Sequence, residues 1–423
     1  MNALTHAVQY FLNLGPSVML PVFIFIIALI FRVKPGKALR SGVTIGIGMI
    51  GINLVLGLLS DNIGPAAQAM VTRFGFHLTI IDVGWPGVSA GTWAQPISAA
   101  IIPLAVIVNI VMLLLKLTKT MDVDIWNYWH FAAAAATALI VTGNFWFALA
   151  MAVLYEAACL IFADKTSPMV QKYYGLEDVS FPTGSAVAMG MVGIPIGWVI
   201  GKIPGINKIK ADPESIQKRF GIFGEPWVMG FVIGAIIAAL AGYDVGKIAQ
   251  VGMNMAGVMF LMPRMVKILM EGLIPISEGA QEFLQSRFKD RKIYIGMDAA
   301  LSTGSPAALS AGLLLVPITL FLAVVLPGNR VLPFGDLATI PFFVALIVPS
   351  RKGNIFQIVL TGTVVMALAL LMATDFGSVM TQMMQGVVNT PGGATEMSNL
   401  DTGGNLLNWL VLKLSQLWNL VFH

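Results

Sequence analysis

The sequence predicts an all-α polytopic membrane protein: two inverted five-span repeats with re-entrant or broken segments and an additional C-terminal apolar helix, about 11 transmembrane helices in all. Three observations predict it. Charged side chains are scarce, apolar runs of membrane-crossing length recur along the chain, and the loops between them alternate between rich and poor in Lys and Arg.

Of 423 residues, 57% are apolar and 11% are charged, where a soluble domain carries about 25% charged residues. Such a chain needs lipid as its solvent. Runs such as Leu14–Phe31 and Ile355–Ala373 approach the roughly 20 residues that cross a hydrocarbon core. Spans are expected near 14–33, 38–59, 96–116, 129–143 and 146–163, then 226–242, 246–263, 308–327, 336–350 and 355–373, with a last apolar segment at 405–421. All belong to one membrane-embedded domain, 1–423. The start, MNALTHAVQY, lacks the basic residues of a cleaved signal peptide. The single Cys159 permits no disulfide framework or cysteine metal cluster. The net charge of +4 does not imply nucleic acid, because the basic residues sit mostly in loops between spans.

The loops orient the chain. Basic segments hold Arg32, Lys34, Lys37 and Arg40; Lys116 and Lys119; Lys165 and Lys172; a run from Lys202 to Arg219; a run from Arg264 to Lys292; and Arg351 with Lys352. Poor segments hold Arg73 alone in 60–95, none at Gly143–Asn144, Lys247 alone near Tyr243, Arg330 alone, and none in 374–404. The positive-inside rule then puts the N-terminus outside. Alternation breaks once, because 164–181 and 202–222 are both basic although the apolar stretch Ala186–Ile200 lies between them. That Gly- and Pro-rich stretch, 183–201, reads as re-entrant or interfacial; an ordinary crossing helix is the other reading.

The chain also matches itself. At an offset of 210 residues, Pro16, Val18, Met19, Val22, Ile26, Ile27 and Ala28 meet identical residues from Pro226 to Ala238, and Gly36, Lys37, Gly42 and Met49 meet Gly246, Lys247, Gly252 and Met259. Gly143-Asn144 meets Gly353-Asn354 at the same offset, and with a small shift Thr183-Gly184 meets Thr402-Gly403. The repeat runs over 14–200 and 224–421. An odd number of spans per copy inverts the second copy, as the loop charges demand. Inverted repeats are common in secondary transporters, whose substrate sites lie near the midplane at broken helices.

Two polar stretches hold corresponding places in the copies: DVGWPGVSAGTWAQP, 82–96, and GMDAALSTGSPAALS, 296–310. Small residues and Pro interrupt helix there, and exposed backbone in lipid must fold into protein or line a cavity. Trp85, Ser89, Thr92, Ser302, Thr303 and Ser305 would line a pocket for a neutral polyol or sugar, which needs many short donors and acceptors. Asp298 is the leading ionisable candidate, since a carboxylate at membrane depth is a functional hypothesis by default. Its other reading is an interfacial loop carboxylate balanced by Arg291 and Lys292. Glu156, within LYEAACL, is a buried structural partner or a ligand. His130 ends DIWNYWH as a donor to substrate or as part of an aromatic belt with Trp126, Tyr128 and Trp129. Asp336 caps the following helix or serves as a ligand. Thr183, Gly184 and Ser185 offer backbone N–H groups to a substrate or simply start a helix. No P-loop, catalytic triad, metal site or cofactor motif is present, so energy must come from an ion gradient or a partner protein.

At DVGWPG, DIWNYWH, FGEP, AGYDVGK and VLPFGDLATI the chain resembles the IIC permease component of the bacterial sugar phosphotransferase system, galactitol type, in the ascorbate–galactitol superfamily. The resemblance runs over nearly the whole chain. It implies a homodimer in the bacterial inner membrane that moves a polyol by an elevator motion. It also implies two soluble partners, IIA and IIB, with phosphorylation from IIB and no phosphoryl-carrying residue on this chain. Under it Asp298 is similar to a substrate-contacting Asp of the ascorbate relatives, and His130 to a substrate-side His. Ser185 stands where those relatives have His. Galactitol members carry His in the segments matching PTGS and LSTGS, where this chain has Thr183 and Ser305. These departures leave another hexitol, a pentitol or a related sugar open as substrate. The competing expectations are an ion-coupled secondary transporter using Asp298 or Glu156, and a membrane scaffold or channel.

Overall fold

The computed structural model describes residues 16–75, 78–209, 211, 213–214, 225–287, 292–333, 335–388 and 395–422. The signal-peptide reading of the first ten residues and the basic residues Lys210, Lys218, Arg219, Lys289 and Arg291 fall outside these.

The chain is mostly helical. Helices α1 (Pro16–Ile30) and α2 (Pro35–Phe74) open it. Strand β1 (Ile80–Asp82) leads into α3 (Gly84–Ala94) and α4 (Ser98–Leu114). Strand β2 (Thr120–Asp122) and a 3-10 turn precede α5 (Trp129–Thr142), α6 (Phe145–Tyr174), β3 (Val179–Ser180) and α7 (Gly184–Ile200). Helices α8 (Pro226–Leu240) and α9 (Val245–Arg287) follow, then β4 (Tyr294–Gly296), a 3-10 turn at Ala299–Gly304, and α10 (Pro306–Val325). The last part holds β5 (Val331–Leu332), one-turn helices α11 (Ile340–Phe343) and α12 (Ile347–Ser350), α13 (Ile355–Met384), β6 (Glu396–Ser398) and α14 (Leu406–Phe422).

Among the described residues three helices, α6, α10 and α13, are long and apolar enough to cross a membrane. Several expected spans differ in extent. The runs placed at 38–59 and 246–263 are parts of helices of 40 and 43 residues. The Gly- and Pro-rich stretch after residue 183 is a continuous helix of 17 residues. At 1.5 Å per residue it measures roughly 25 Å, short of the ~30 Å hydrocarbon core. The stretch 336–350 is not one helix but a 3-10 turn and two single helical turns. Pro341 and Pro349 bring no N–H to a continuing ladder there. Conversely, 84–94, expected to be broken, is helical in spite of its glycines and Pro86.

Helix ends follow local chemistry. Gly143 and Gly353 adopt left-handed backbone, φ 65° and 75°, which costs glycine nothing. The asparagine after each caps the next helix: Asn144 Oδ1 accepts from Phe147 N at 3.0 Å, and Asn354 Oδ1 from Gln357 N at 3.1 Å.

The all-α reading missed two small sheets. Each has three parallel strands of two or three residues, in the orders β5–β1–β6 and β2–β4–β3. Ile80 pairs with both Val331 and Glu396; Ile295 pairs with Met121 and Val179. Each sheet thus centres on a strand from one half of the chain and flanks it with two from the other.

Packing depends on small side chains. Ala132–Ala136 of α5 are all buried, and this run lets α3, α4, α6, α13 and α14 approach closely. Gly190, Gly193 and Gly197 of α7 lie against Leu346, Ile347 and Arg351, and Arg351 Nη1 donates to the Gly197 carbonyl. Helices α1, α2, α8 and α9 pack mainly on one another, with α2 along α9.

Asn144→Ala and Asn354→Ala each remove one cap. Each is expected to lower stability by about 1 kcal/mol, read as a lower midpoint of thermal unfolding in detergent.

Candidate functional site

The 3-10 turn Ile125–Tyr128 delivers the chain into α5 and sets His130 one residue inside the helix, buried. Its Nδ1 lies 3.0 Å from the Asn127 carbonyl oxygen, and its Nε2 lies 2.9 Å from Asp401 Oδ1. Trp129 stacks on it with ring centroids 4.1 Å apart. Tyr128, Trp129 and His130 are at most 2% exposed, so these three form no aromatic belt facing lipid headgroups.

Asp298 follows β4 and turns the chain into its 3-10 segment, accepting the Ala300 N–H at 2.9 Å. The neighbouring Ala299 N–H donates to Thr183 Oγ1 at 2.9 Å, which ties the start of α7 to this turn. The Asn127 amide serves two carboxylates, donating to Asp124 Oδ2 at 2.5 Å and lying against Asp298. Asp124 N in turn donates to Asp122 Oδ1 at 3.1 Å. Lys292 does not balance Asp298. Its Nζ pairs with Asp178 at 3.0 Å, and that hydrogen bond raises the lysine above its usual range. Arg291 lies outside the described residues.

Asp336 belongs to the opposite crossing. Its Oδ1 accepts the Trp85 N–H at 2.7 Å and its Oδ2 accepts the Asp401 N–H at 2.8 Å. Asp82 completes the joint, accepting from Gly84 N at 2.8 Å and Asp336 N at 3.0 Å. Backbones meet closely here, and a Cβ on Gly335 would collide with Gly84. Asp336 therefore serves as a splice between chain segments and makes no side-chain cap to the turn that follows.

Asp401 joins the two groups, through its backbone to Asp336 and through its side chain to His130. The structure thus brings together His130, Asp298, Thr183, Asp336 and the Trp85 backbone. Gly184 belongs with them: a Cβ there would lie 2.8 Å from His130 Cβ and 2.9 Å from the Tyr155 hydroxyl. Ser185 is buried one residue further along α7. Other predicted residues face elsewhere. Thr92 Oγ1 lies 3.3 Å from Met383 Sδ, Ser89 is buried on the same helix, and Thr303 donates to the Ala300 carbonyl at 2.6 Å. Ser302 is buried beside Tyr174, and Ser305 is half-buried at the start of α10. Glu156 is buried within α6, and its Oε1 has no hydrogen-bond partner among the described residues.

Sequence reasoning missed Asp401, Asn127, Asp124 and Asp82. A signal existed for Asp401, because it directly precedes the Thr402-Gly403 pair that matches Thr183-Gly184. Asn127 and Asp124 lie inside DIWNYWH, three and six residues before the histidine.

Gly184→Ala drives a methyl group into His130 and Tyr155. The expected cost is roughly 1–3 kcal/mol of stability. Tyr155→Phe, which removes one of the two contacts, should recover part of it in the double variant, measured by thermal unfolding.

Comparison with known proteins identifies the family. Residues 10–393 match the family described as EIIC-GAT, PTS system sugar-specific permease component. The chain is 41% identical over 409 residues to the PTS system galactitol-specific EIIC component of Escherichia coli strain K12, covering 97% of this chain and 90% of that one. The corresponding component of Escherichia coli O157:H7 gives the same identity and coverage. A putative permease IIC component of strain K12 is 38% identical over 410 residues, 97% of this chain and 94% of the relative. With a family match over residues 10–393 and relatives of this identity, the chain belongs to the sugar-specific permease components of the phosphotransferase system.

Proposed function

We propose that this permease binds galactitol or a closely related polyol beside Asp298 and carries it across the bacterial inner membrane, where a IIB partner, itself charged by IIA, phosphorylates it. The observation that carries the reading is the convergence of Asp298, Asn127, His130, Thr183 and Asp401 from separate segments onto one buried joint. A polyol is a chain of hydroxyl donors, and a half-buried carboxylate is the acceptor best suited to two of them. The names of the E. coli relatives supply the substrate. Of the residues predicted to line a pocket, Trp85 and Ser305 keep partial exposure, as Asp298 does.

The same proposal includes the inverted repeat. Elements recur in order: α1, α2, β1, α4, β2, α6 and β3 have counterparts in α8, α9, β4, α10, β5, α13 and β6, and the exchange of strands between the sheets is what a two-fold axis would produce. Orientation follows. One sheet gathers the loops around residues 80, 331 and 397, which are poor in basic residues; the other gathers those around 121, 179 and 295, which are rich in them. The first then faces outside and the second faces the cytoplasm and IIB. The self-packed layer of α1, α2, α8 and α9 is the scaffold for an elevator motion. On α2, Leu39, Val43, Ile47, Ile50 and Leu54 form an exposed stripe at helical spacing, which suits a second copy. An ion-coupled reading has the unpartnered Glu156 oxygen in its favour.

Uptake separates the two readings. Cells lacking the general phosphotransferase proteins should accumulate no phosphorylated polyol, and concentrative uptake of free polyol there would favour ion coupling. Asp298→Asn should weaken galactitol binding roughly 10- to 100-fold, the value of hydrogen bonds to a charged group, while the assembly stays intact. Unchanged affinity would remove Asp298 from the site. For topology, Cys replacements at Lys37 and Lys292 should label from one face and a replacement at Arg330 from the opposite face, in a chain carrying Cys159→Ser.

A further inference from the structure

Both ring nitrogens of His130 face oxygen atoms. A backbone carbonyl only accepts, so Nδ1, 3.0 Å from the Asn127 oxygen, carries a hydrogen. A neutral imidazole has one N–H, and that contact uses it. The approach of Nε2 to Asp401 Oδ1 at 2.9 Å therefore requires one more proton, on the ring or on the carboxyl. An imidazole is a stronger base than a carboxylate, which places the proton on the ring. We infer that Asp401 is a positioning residue that holds His130 as a fixed imidazolium, leaving the ring no nitrogen to offer a substrate.

The surroundings agree. Asp298 lies close enough to His130 and Asp401 to feel both. Asp124 and Asp122 stand behind Asp298. Asp336 holds the Asp401 backbone, and Tyr155 on α6 contacts the same joint through Asn405. None of these brings a positive charge against the ring, and those carboxyls that are ionised favour a cation there. Glu156, further along α6, is another acid. Lys413 and Asp375, on the packed helices α14 and α13, pair with each other at 3.0 Å. Thr402 Oγ1 adds a donor 3.4 Å from Asp401 Oδ1, which suits an ionised oxygen. The expectation that His130 donates to substrate gives way to a different role: it supplies counter-charge and shape, and substrate hydroxyls meet Asp298. The charge assignment stands on the two contacts alone, whereas its effect on polyol binding rests on the reading under Proposed function.

The test uses the full chain in lipid nanodiscs, labelled with 15N-histidine, with His6, His77 and His423 replaced by Gln so that His130 alone reports. At neutral pH, solid-state NMR should show both ring nitrogens protonated. In Asp401→Asn, which keeps the shape and removes the charge, the ring should fall to one N–H. Galactitol affinity should drop about tenfold or more. Asp401→Glu should restore the doubly protonated ring. A neutral ring in the otherwise unaltered chain, or two N–H groups retained in Asp401→Asn, would overturn the inference. A doubly protonated ring lost in Asp401→Asn with unmoved galactitol affinity would uphold the charge assignment and count against the polyol reading of the joint.

Discussion

Hydrocarbon offers no hydrogen bonds, so any backbone that leaves a helix at membrane depth must find its partners inside the protein. The rest of this architecture answers that demand. The chain leaves helical geometry at several places near the joint, and at each it runs into a short parallel strand, an aspartate, or both. Asp82, Asp122, Asp298 and Asp336 all use side-chain oxygens to hold backbone N–H groups. A carboxylate is a strong acceptor, and two backbone donors on one group fix the position of two segments at once. The polar centre is therefore built from the means that let the helices break.

This construction explains how far the sequence could be read. Helix junctions at Gly143-Asn144 and Gly353-Asn354 were legible because each residue type has one local job there, a left-handed stop followed by a side-chain cap. The long apolar helices were legible by length. The sheets were not, because strands of two or three residues carry no period and their pairing links positions far apart in the chain, from Val179 with Ile295 to Ile80 with Glu396. The stretch 84–94 misled for a related reason. Glycine and proline lower helix propensity by amounts that tertiary packing readily outweighs, and this helix is packed on α5 and α13.

The candidate site was half legible. Asp298, His130, Thr183, Gly184 and Asp336 announce themselves as polar or very small residues in apolar runs, and they do converge. Hydroxyl-bearing residues on the same stretches mostly do not. Thr92 and Thr303 satisfy their hydroxyls locally, as threonines in or beside helices commonly do. Composition finds polar side chains but does not tell which way a helix turns them. Asp401 escaped for want of a local pattern, since its importance lies entirely in what the fold brings against it.

The exchange of strands has a consequence for how the chain is made. While the ribosome has delivered only the first half, β1 has neither neighbour, because both come from the second half. Until the second half is made, the backbone groups that β1 turns toward β5 and β6 have no strand to meet. Neither half is thus a self-sufficient folding unit. Two separately encoded halves would have to insert together and find each other before either sheet could close, so a single chain spares an assembly step that depends on concentration.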